Sequence, residues 1–387
     1  MTIRECLRNN PVIVFFYWLP IKFFLFIARF FPLQNKIVFN SFNGKGFCDD
    51  PKYIYLELKR RCIKTKYIWL VNDLNTEMPD DITKVLYKSW KQEYHFLTSK
   101  IWIDNAKSTP KPAKRKGQFY LQTWHGPFSN KKIEKDAENT LPQDYIQISK
   151  KDSAITDLMY ANSNFRIKQF QNAFWYNGPV IKADAPQLSA LVNSSSDTKH
   201  KIYKKLNIDE NLGVVLYAPT FRSEVSIEPY IWDYKKILNA LELRFQKSFV
   251  MLIRMHPNVE QFNFKFDDRL LNVTSYPDVY EIMTICDVLI SDFSGVAFDM
   301  GFVKRPVFLF AKDWQKYLKN DRETYFKQTE IPFSFSKNEI ELVENIANFD
   351  YLHYKNELDS FYNMIGMDDS GTGATKIASI LVEKLKP

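Results

Sequence analysis

The sequence predicts an α/β protein of two domains, each built around a mostly parallel sheet, preceded by an apolar helical segment. Three observations carry this. The chain has 387 residues, more than one hydrophobic core comfortably organises. After the apolar start, short strand-like runs alternate with helical patterns, as βαβ units require. Further along, the runs become nearly continuous in apolar residues, the signature of parallel strands buried on both faces. Hydrophobic residues at 45% and aromatics at 16% exclude a disordered chain. The net charge of +8 suits a protein that meets phosphate, whether in nucleotide, nucleic acid, anionic lipid or polymer, and does not choose among them. Cys6, Cys48, Cys62 and Cys286 are scattered without a CxxC pair, which speaks against a zinc site or a disulfide scaffold and for a reducing, cytoplasmic setting.

Taken in order, residues 12–31 (VIVFFYWLPIKFFLFIARFF) are long enough by count to span a bilayer. Pro20, Lys22 and Arg29 argue instead for a helix lying in the membrane interface, with the two basic side chains reaching the headgroups; packing of the stretch on the protein body is the alternative. No small-residue cleavage site follows it, so it does not read as a signal peptide. Residues 1–34 are this membrane-associating segment, 35–190 the first domain and 191–387 the second. First-domain strands are expected at 36–42, 66–71, 84–87, 100–104, 119–123 and 158–162, with helices at 52–61 and 165–174 between them. The polar run 192–198 (VNSSSDT) is the expected linker. Second-domain strands are expected at 213–218, 249–254, 287–291 and 306–310, with a final helix at 375–385 that closes the second domain or crosses back to the first.

Parallel sheets bind ligands beyond the carboxyl ends of their strands, which singles out four places. Trp124-His125-Gly126, followed by Lys131 and Lys132, comes after the run FYLQT. Thr220 and Arg222 follow GVVLYAP, and Arg254 and His256 follow FVMLI. Ser291-Asp292-Phe293-Ser294-Gly295 opens a helix, where a hydroxyl and unpaired backbone N–H groups can meet a phosphate. Asp299, one turn in, could accept from ribose hydroxyls, and the competing reading is an ordinary helix cap by Ser294. His125 and His256 each end an expected strand, one in each domain. One imidazole can take a proton from an attacking hydroxyl while the other donates to a phosphate oxygen. Arg222 and Arg254 suit two-pronged contacts to phosphate, although Arg254 lies at a strand end where a structural role competes.

The runs LQTWHGPFSNKKIEKD, YAPTFR, RMHPN and DVYEIMTICDVLISDFSGVAFDMGFVKRPVFLF, with KIVFNSFNGKGFCDDPKYIYLEL upstream, resemble the CDP-glycerol glycerophosphotransferases of teichoic acid and capsule synthesis, across residues 36–335. The resemblance implies a GT-B fold, two Rossmann-like domains facing a central cleft. It implies His125 as the base, His256 assisting at the phosphates, and Ser294, Gly295, Arg222 and Asp299 holding the CDP part. Three places depart from the family pattern. Gly178-Pro179-Val180 lacks the arginine of the usual Gly-x-Pro-Arg-x-Asp, Gly295 stands where a second serine is common, and Pro127-Phe128 follows the WHG motif in place of Thr-Pro.

The reaction this implies is transfer of a polyol phosphate from CDP-glycerol or CDP-ribitol to a lipid-linked or polymeric acceptor, at the cytoplasmic face of the membrane, with release of CMP. Thr220, Arg254, Ser291 and Asp292 complete the expected donor contacts, and Trp124, Gly126, Lys131 and Lys132 the acceptor or phosphate contacts. No Asp-x-Asp motif is present and no cofactor is expected, magnesium borne by the diphosphate remaining open. No nucleic-acid partner is expected. The rival readings are a glycosyltransferase using a nucleotide sugar, since one fold supports both chemistries, and a non-catalytic module that binds anionic polymers.

Overall fold

The computed structural model describes residues 11–220, 222, 228–255, 268–320, 323–367 and 370–386, with backbone alone at 11–18 and 320. Its residues divide into two compact units that are discontinuous in the chain: Met1–Trp124, Ile148–Met159 and Ala378–Pro387 in the first, His125–Gln147 and Tyr160–Ile377 in the second.

The apolar start forms α1 (Pro11–Ala28), with Pro20 inside it. One face is settled by packing: Leu25 and Ala28 are buried against Leu97, and the Phe24 ring stacks on Tyr94 at 5.7 Å. The other face is bare, with Phe23, Phe26 and Phe30 exposed at 65%, 58% and 73%. Among the described residues no helix is long and apolar enough to cross a membrane.

The first unit holds a parallel sheet in the order β3-β2-β1-β4-β5, formed by β1 (Gln34–Asn40), β2 (Lys66–Val71), β3 (Ile82–Leu86), β4 (Ser99–Asp104) and β5 (Phe119–Gln122). Ile37, Val38 and Phe39 in β1 have no exposed surface, as a central strand covered on both faces demands. The crossover helices are α2 (Asp49–Arg60) and α3 (Trp90–Thr98). Asp49 and Asp50 in the first turn of α2, with Lys59 and Arg60 in its last, oppose the helix dipole, and the Ser89 hydroxyl caps α3 by accepting from the Gln92 amide. Helix α4 (Gln143–Ile155) follows the long loop after β5. The expected strand at 158–162 divides in two. Leu158 bridges to Leu121, whereas β6 (Met159–Ala161) pairs with β7 (Val180–Lys182) across α5 (Asn164–Ala173), in a separate two-stranded sheet.

The second unit repeats the plan with one strand more, in the order β10-β9-β8-β11-β12-β13, all parallel. Its approach is helical: α6 (Pro186–Val192) and α7 (Ser196–Leu206), the latter capped by Ser195. The serine run read as a linker is therefore a turn between two helices inside this unit. The strands are β8 (Gly213–Ala218), β9 (Phe249–Ile253), β10 (Leu270–Asn272), β11 (Val288–Ser291), β12 (Val307–Phe310) and β13 (Ser334–Ser336). Between and after them lie α8 (Tyr234–Phe245), α9 (Val279–Ile285), α10 (Val296–Phe302), α11 (Trp314–Asn320), α12 (Glu339–Ala347) and α13 (Tyr351–Ile365), and the final helix α14 (Gly373–Leu385) starts in this unit and belongs to the first from Ala378 on. In both sheets the chain starts centrally, winds one way, then returns to wind the other. The switch points lie between β1 and β4 and between β8 and β11, where such sheets receive ligands.

Candidate active site

At the switch point of the second sheet, β8 and β11 are stitched together beyond their paired ends. The Ser291 hydroxyl donates to the Ala218 carbonyl at 2.6 Å, and one Asp292 oxygen accepts from the Thr220 amide at 2.8 Å. Arg222 closes this corner. It lies 2.9 Å from the second Asp292 oxygen, grips Asp313 through Nε and Nη2 at 2.7 and 3.0 Å, and donates to the Thr220 carbonyl at 2.7 Å. Burial opposes its charge, yet the Asp313 and Asp292 carboxylates outweigh that and raise its pKa well above the usual value. The guanidinium lies 4.7 Å from the Tyr317 ring, which stacks on Phe293 at 3.9 Å. The sequence cast Arg222 as a phosphate ligand. In the structure its donors face two carboxylates and a carbonyl, so it braces the corner on which Thr220 and Asp292 sit.

Beside that corner, Ser294 leads into α10. Gly295, not Ser294, is the N-cap, and the Ser294 hydroxyl makes no hydrogen bond among the described residues. The helix-cap reading of this serine is thus not realised. Because α10 has only seven residues, its dipole is a minor attraction for an anion, and the open hydroxyl is the stronger feature. Ser294 lines a narrow pocket of about 20 Å³ whose walls include Phe293, Phe298, Phe326 and Phe335, with Asn130 and Lys131 among its polar lining. An apolar aromatic slot with a few convergent polar groups has the composition of a small-ligand site.

The loop after β5 supplies the other side of this pocket. The Trp124 amide donates to the Gln122 side-chain oxygen at 2.8 Å, and both Trp124 and Gly126 have positive φ, +57° and +76°, so the chain reverses sharply at the motif. From His125 onward the loop packs within the second unit. The Asn130 side chain pairs with both backbone groups of Phe326, at 2.7 and 2.9 Å. Lys131 bridges to Thr324, and the Lys132 ammonium pairs with Glu323. Phe128 has no exposed surface and meets Phe298 of α10 at 4.5 Å between ring centres. The sequence placed His125 and Ser294 in different domains; these contacts bring the two motifs onto one body.

Two departures from the family pattern prove to be neighbours. A Cβ built on Gly295 would lie 2.5 Å from the Phe128 carbonyl oxygen, closer than any side chain tolerates against backbone. Gly295→Ser is therefore expected to force the loop outward and cost about 1–3 kcal/mol of stability. Chemical denaturation reads this, and a variant as stable as the parent would contradict the close approach.

Two expected donor contacts, Arg254 and Asp299, and one expected acceptor or phosphate contact, Lys132, have other occupations. Arg254 donates through Nη1 to the Val273 and Tyr276 carbonyls at 3.1 and 2.5 Å, which makes it a staple between β9 and the loop after β10. Asp299 is 2% exposed and accepts from the Tyr280 hydroxyl at 2.6 Å, which itself accepts from Gln187 at 2.8 Å. Its carboxylate works inside the domain, where the Ala297–Phe302 stretch of α10 is buried. Lys132 is spent on Glu323. His256 lies outside the described residues. Among those described, no group of three or more His, Cys, Asp or Glu residues could hold a metal ion. Sequence reasoning missed Asn130, Phe128 and Asp313, none of which carries a pattern of its own.

This geometry has known counterparts. Residues 22–383 match the profile of a family described as CDP-glycerol:poly(glycerophosphate) glycerophosphotransferase. The teichoic acid poly(glycerol phosphate) polymerase of Staphylococcus epidermidis is 29% identical over 369 residues, covering 91% of this chain and 51% of that protein. The chain thus spans about half the length of that relative. The teichoic acid glycerol-phosphate transferase of Staphylococcus aureus is 30% identical over 332 residues, covering 82% of this chain and 85% of that protein. Among solved structures, the wall teichoic acid polymerase TagF, in a histidine-to-asparagine variant soaked with CDPG, superposes with a TM-score of 0.79 at 27% identity, covering 91% of this chain and 89% of that one. With a GT-B-like α/β fold, and with the WHG loop and the Ser294 pocket joined on one body, the chain belongs to the CDP-glycerol:poly(glycerophosphate) glycerophosphotransferase family.

Proposed function

We propose that this protein transfers glycerol phosphate from CDP-glycerol to a terminal hydroxyl of a lipid-linked or polymeric glycerol phosphate acceptor in teichoic acid synthesis, releasing CMP. The observation that carries this is the Ser294 hydroxyl, without a hydrogen bond among the described residues, beside an aromatic pocket that Lys131 also lines, in a chain whose relatives are named for glycerol phosphate transfer. The acceptor oxygen attacks the distal phosphorus of the donor. The new P–O bond forms as the bond from that phosphorus to the bridging oxygen breaks, CMP leaves with the bridging oxygen, and His125 takes the acceptor proton. Ser294 and Lys131 meet the diphosphate, and His256 assists at its oxygens. Arg222 acts at one remove, by holding Thr220 and Asp292 in place. Parallel initial-rate measurements with CDP-glycerol and CDP-ribitol test the donor; a faster reaction with CDP-ribitol would overturn the assignment to glycerol.

The bare face of α1 supports a second part of this reading, attachment to the cytoplasmic face of the membrane. Phe23 and Phe26 on one side of the helix continue to Phe30 in the turn after it, with exposed Lys22 and Arg29 placed to reach lipid phosphates, while the opposite side is held by α3. Substituting Phe23, Phe26 and Phe30 together by Ser is expected to abolish co-sedimentation with anionic phospholipid vesicles and to leave CMP release with a soluble acceptor unchanged. Undiminished co-sedimentation would rule this face out as the anchor.

A further inference from the structure

Beneath the WHG turn lies a buried cation that no step above uses. Ser163 caps α5 by accepting from the Arg166 amide at 3.1 Å, which places Arg166 at the third helical position. Helical side chains lean toward the amino end of their helix, so this one reaches back out of α5 rather than along it. Its Nη2 donates to the Gly126 carbonyl at 3.1 Å, its Nη1 to the Gln169 side chain one turn on, and its guanidinium lies 4.7 Å from the Phe170 ring. Three neighbours thus hold the guanidinium in one orientation. The side chain has no exposed surface, makes no ion pair among the described residues, and leaves Nε–H without an acceptor. Burial draws its pKa down to about 9, with Tyr325 and Asp299 acting in the opposite sense, so it remains charged at neutral pH.

A fully buried arginine without a carboxylate is costly, and an apolar side chain of similar length would avoid that cost. What such a side chain could not supply is the hydrogen bond to the Gly126 carbonyl. That carbonyl belongs to a residue at φ +76°, immediately after His125, in a turn that also carries Trp124 at φ +57°. The positive φ of Trp124 persists only where surrounding groups hold it, while Gly126 takes its φ without strain and leaves its carbonyl to be fixed by a neighbour. On the Trp124 side the holder is the Gln122 side chain, and on the Gly126 side it is Arg166.

We propose that Arg166 is a positioning residue for the transfer reaction: by gripping the Gly126 carbonyl, it fixes the backbone from which the His125 imidazole projects. This rests on the assignment of His125 as the base. Arg166 touches neither donor nor acceptor, so its loss should slow turnover without weakening donor binding.

The experiment compares Arg166→Met, Arg166→Lys and His125→Ala in the full chain. Calorimetry with CDP-glycerol gives both affinity and the number of binding-competent sites, so turnover can be expressed per site and a folding defect shows only in the stoichiometry. Arg166→Met is expected to lower turnover per site about 10- to 100-fold, the penalty typical of a misplaced reacting group, with donor affinity within about twofold of the parent, because the residue makes no contact with the donor. Arg166→Lys, which keeps a donor for the Gly126 carbonyl, should recover most of that loss. Unchanged turnover per site in Arg166→Met, beside an inactive His125→Ala, overturns this proposal alone. Weakened CDP-glycerol binding in Arg166→Met overturns it in favour of a direct anion contact. Full turnover in His125→Ala, or no CDP-glycerol binding by the parent, removes the proposed function and this inference with it.

Discussion

His125→Ala is expected to lower transfer by about 10²–10⁴-fold, the usual cost of losing a positioned general base, while CDP-glycerol binds with near-normal affinity. An acceptor hydroxyl is a poor nucleophile at neutral pH, so its proton must leave as the bond to phosphorus forms. His125 stands in a turn held by Gln122 and Arg166, on a loop that Asn130 ties to Phe326 and Phe128 packs against α10. The donor contacts assigned to Ser294 and Lys131 remain in the variant, which is why affinity should survive. Steady-state rates and calorimetry on the same preparation check both halves. If the variant keeps more than about a tenth of parental turnover, the loss is too small for a base, and His125 becomes a packing residue of the loop.

Arg222→Leu is expected to destabilise the protein by about 3–5 kcal/mol, because it strands the Asp292 carboxylate, whose side chain is 1% exposed, without its cation. Asp313, at 17%, also loses its partner but has some access to water. Urea denaturation measures the change. Adding Asp313→Asn to Arg222→Leu should recover part of it, since one of the two abandoned charges is then gone. Donor binding should weaken as well, because the Thr220–Asp292 corner borders the Ser294 pocket. A loss below about 1 kcal/mol, the scale of an exposed pair, would mean that Arg222 is not the brace of this corner.

Long stretches of the fold were legible because their physics is local. The runs at 213–218 and 249–253 are continuously apolar, and both became strands with every residue buried, since a central parallel strand is covered on both faces. By contrast β7, β10 and β13 have three residues each, too few for any periodicity to register. The strand at 158–162 was misassigned because a short apolar run does not declare which sheet it joins. Of the candidate site, the positions of the WHG and Ser294 motifs just beyond β5 and β11 were legible, since strand ends announce themselves by the change from apolar to polar residues. Their partners were not. Arg222 pairs with Asp292 and Asp313, distant in sequence, and Arg166 sits in a helical pattern where an arginine ordinarily faces water. The Ser163 cap was the one local sign that Arg166 turns back out of its helix.

The identity of the nucleotide product tests the central claim most directly. When the protein is incubated with CDP-glycerol and a glycerol phosphate acceptor, attack at the distal phosphorus predicts that CMP appears, one for each glycerol phosphate added to the acceptor. Release of CDP, with glycerol transferred free of its phosphate, would place the attack at carbon and contradict the account.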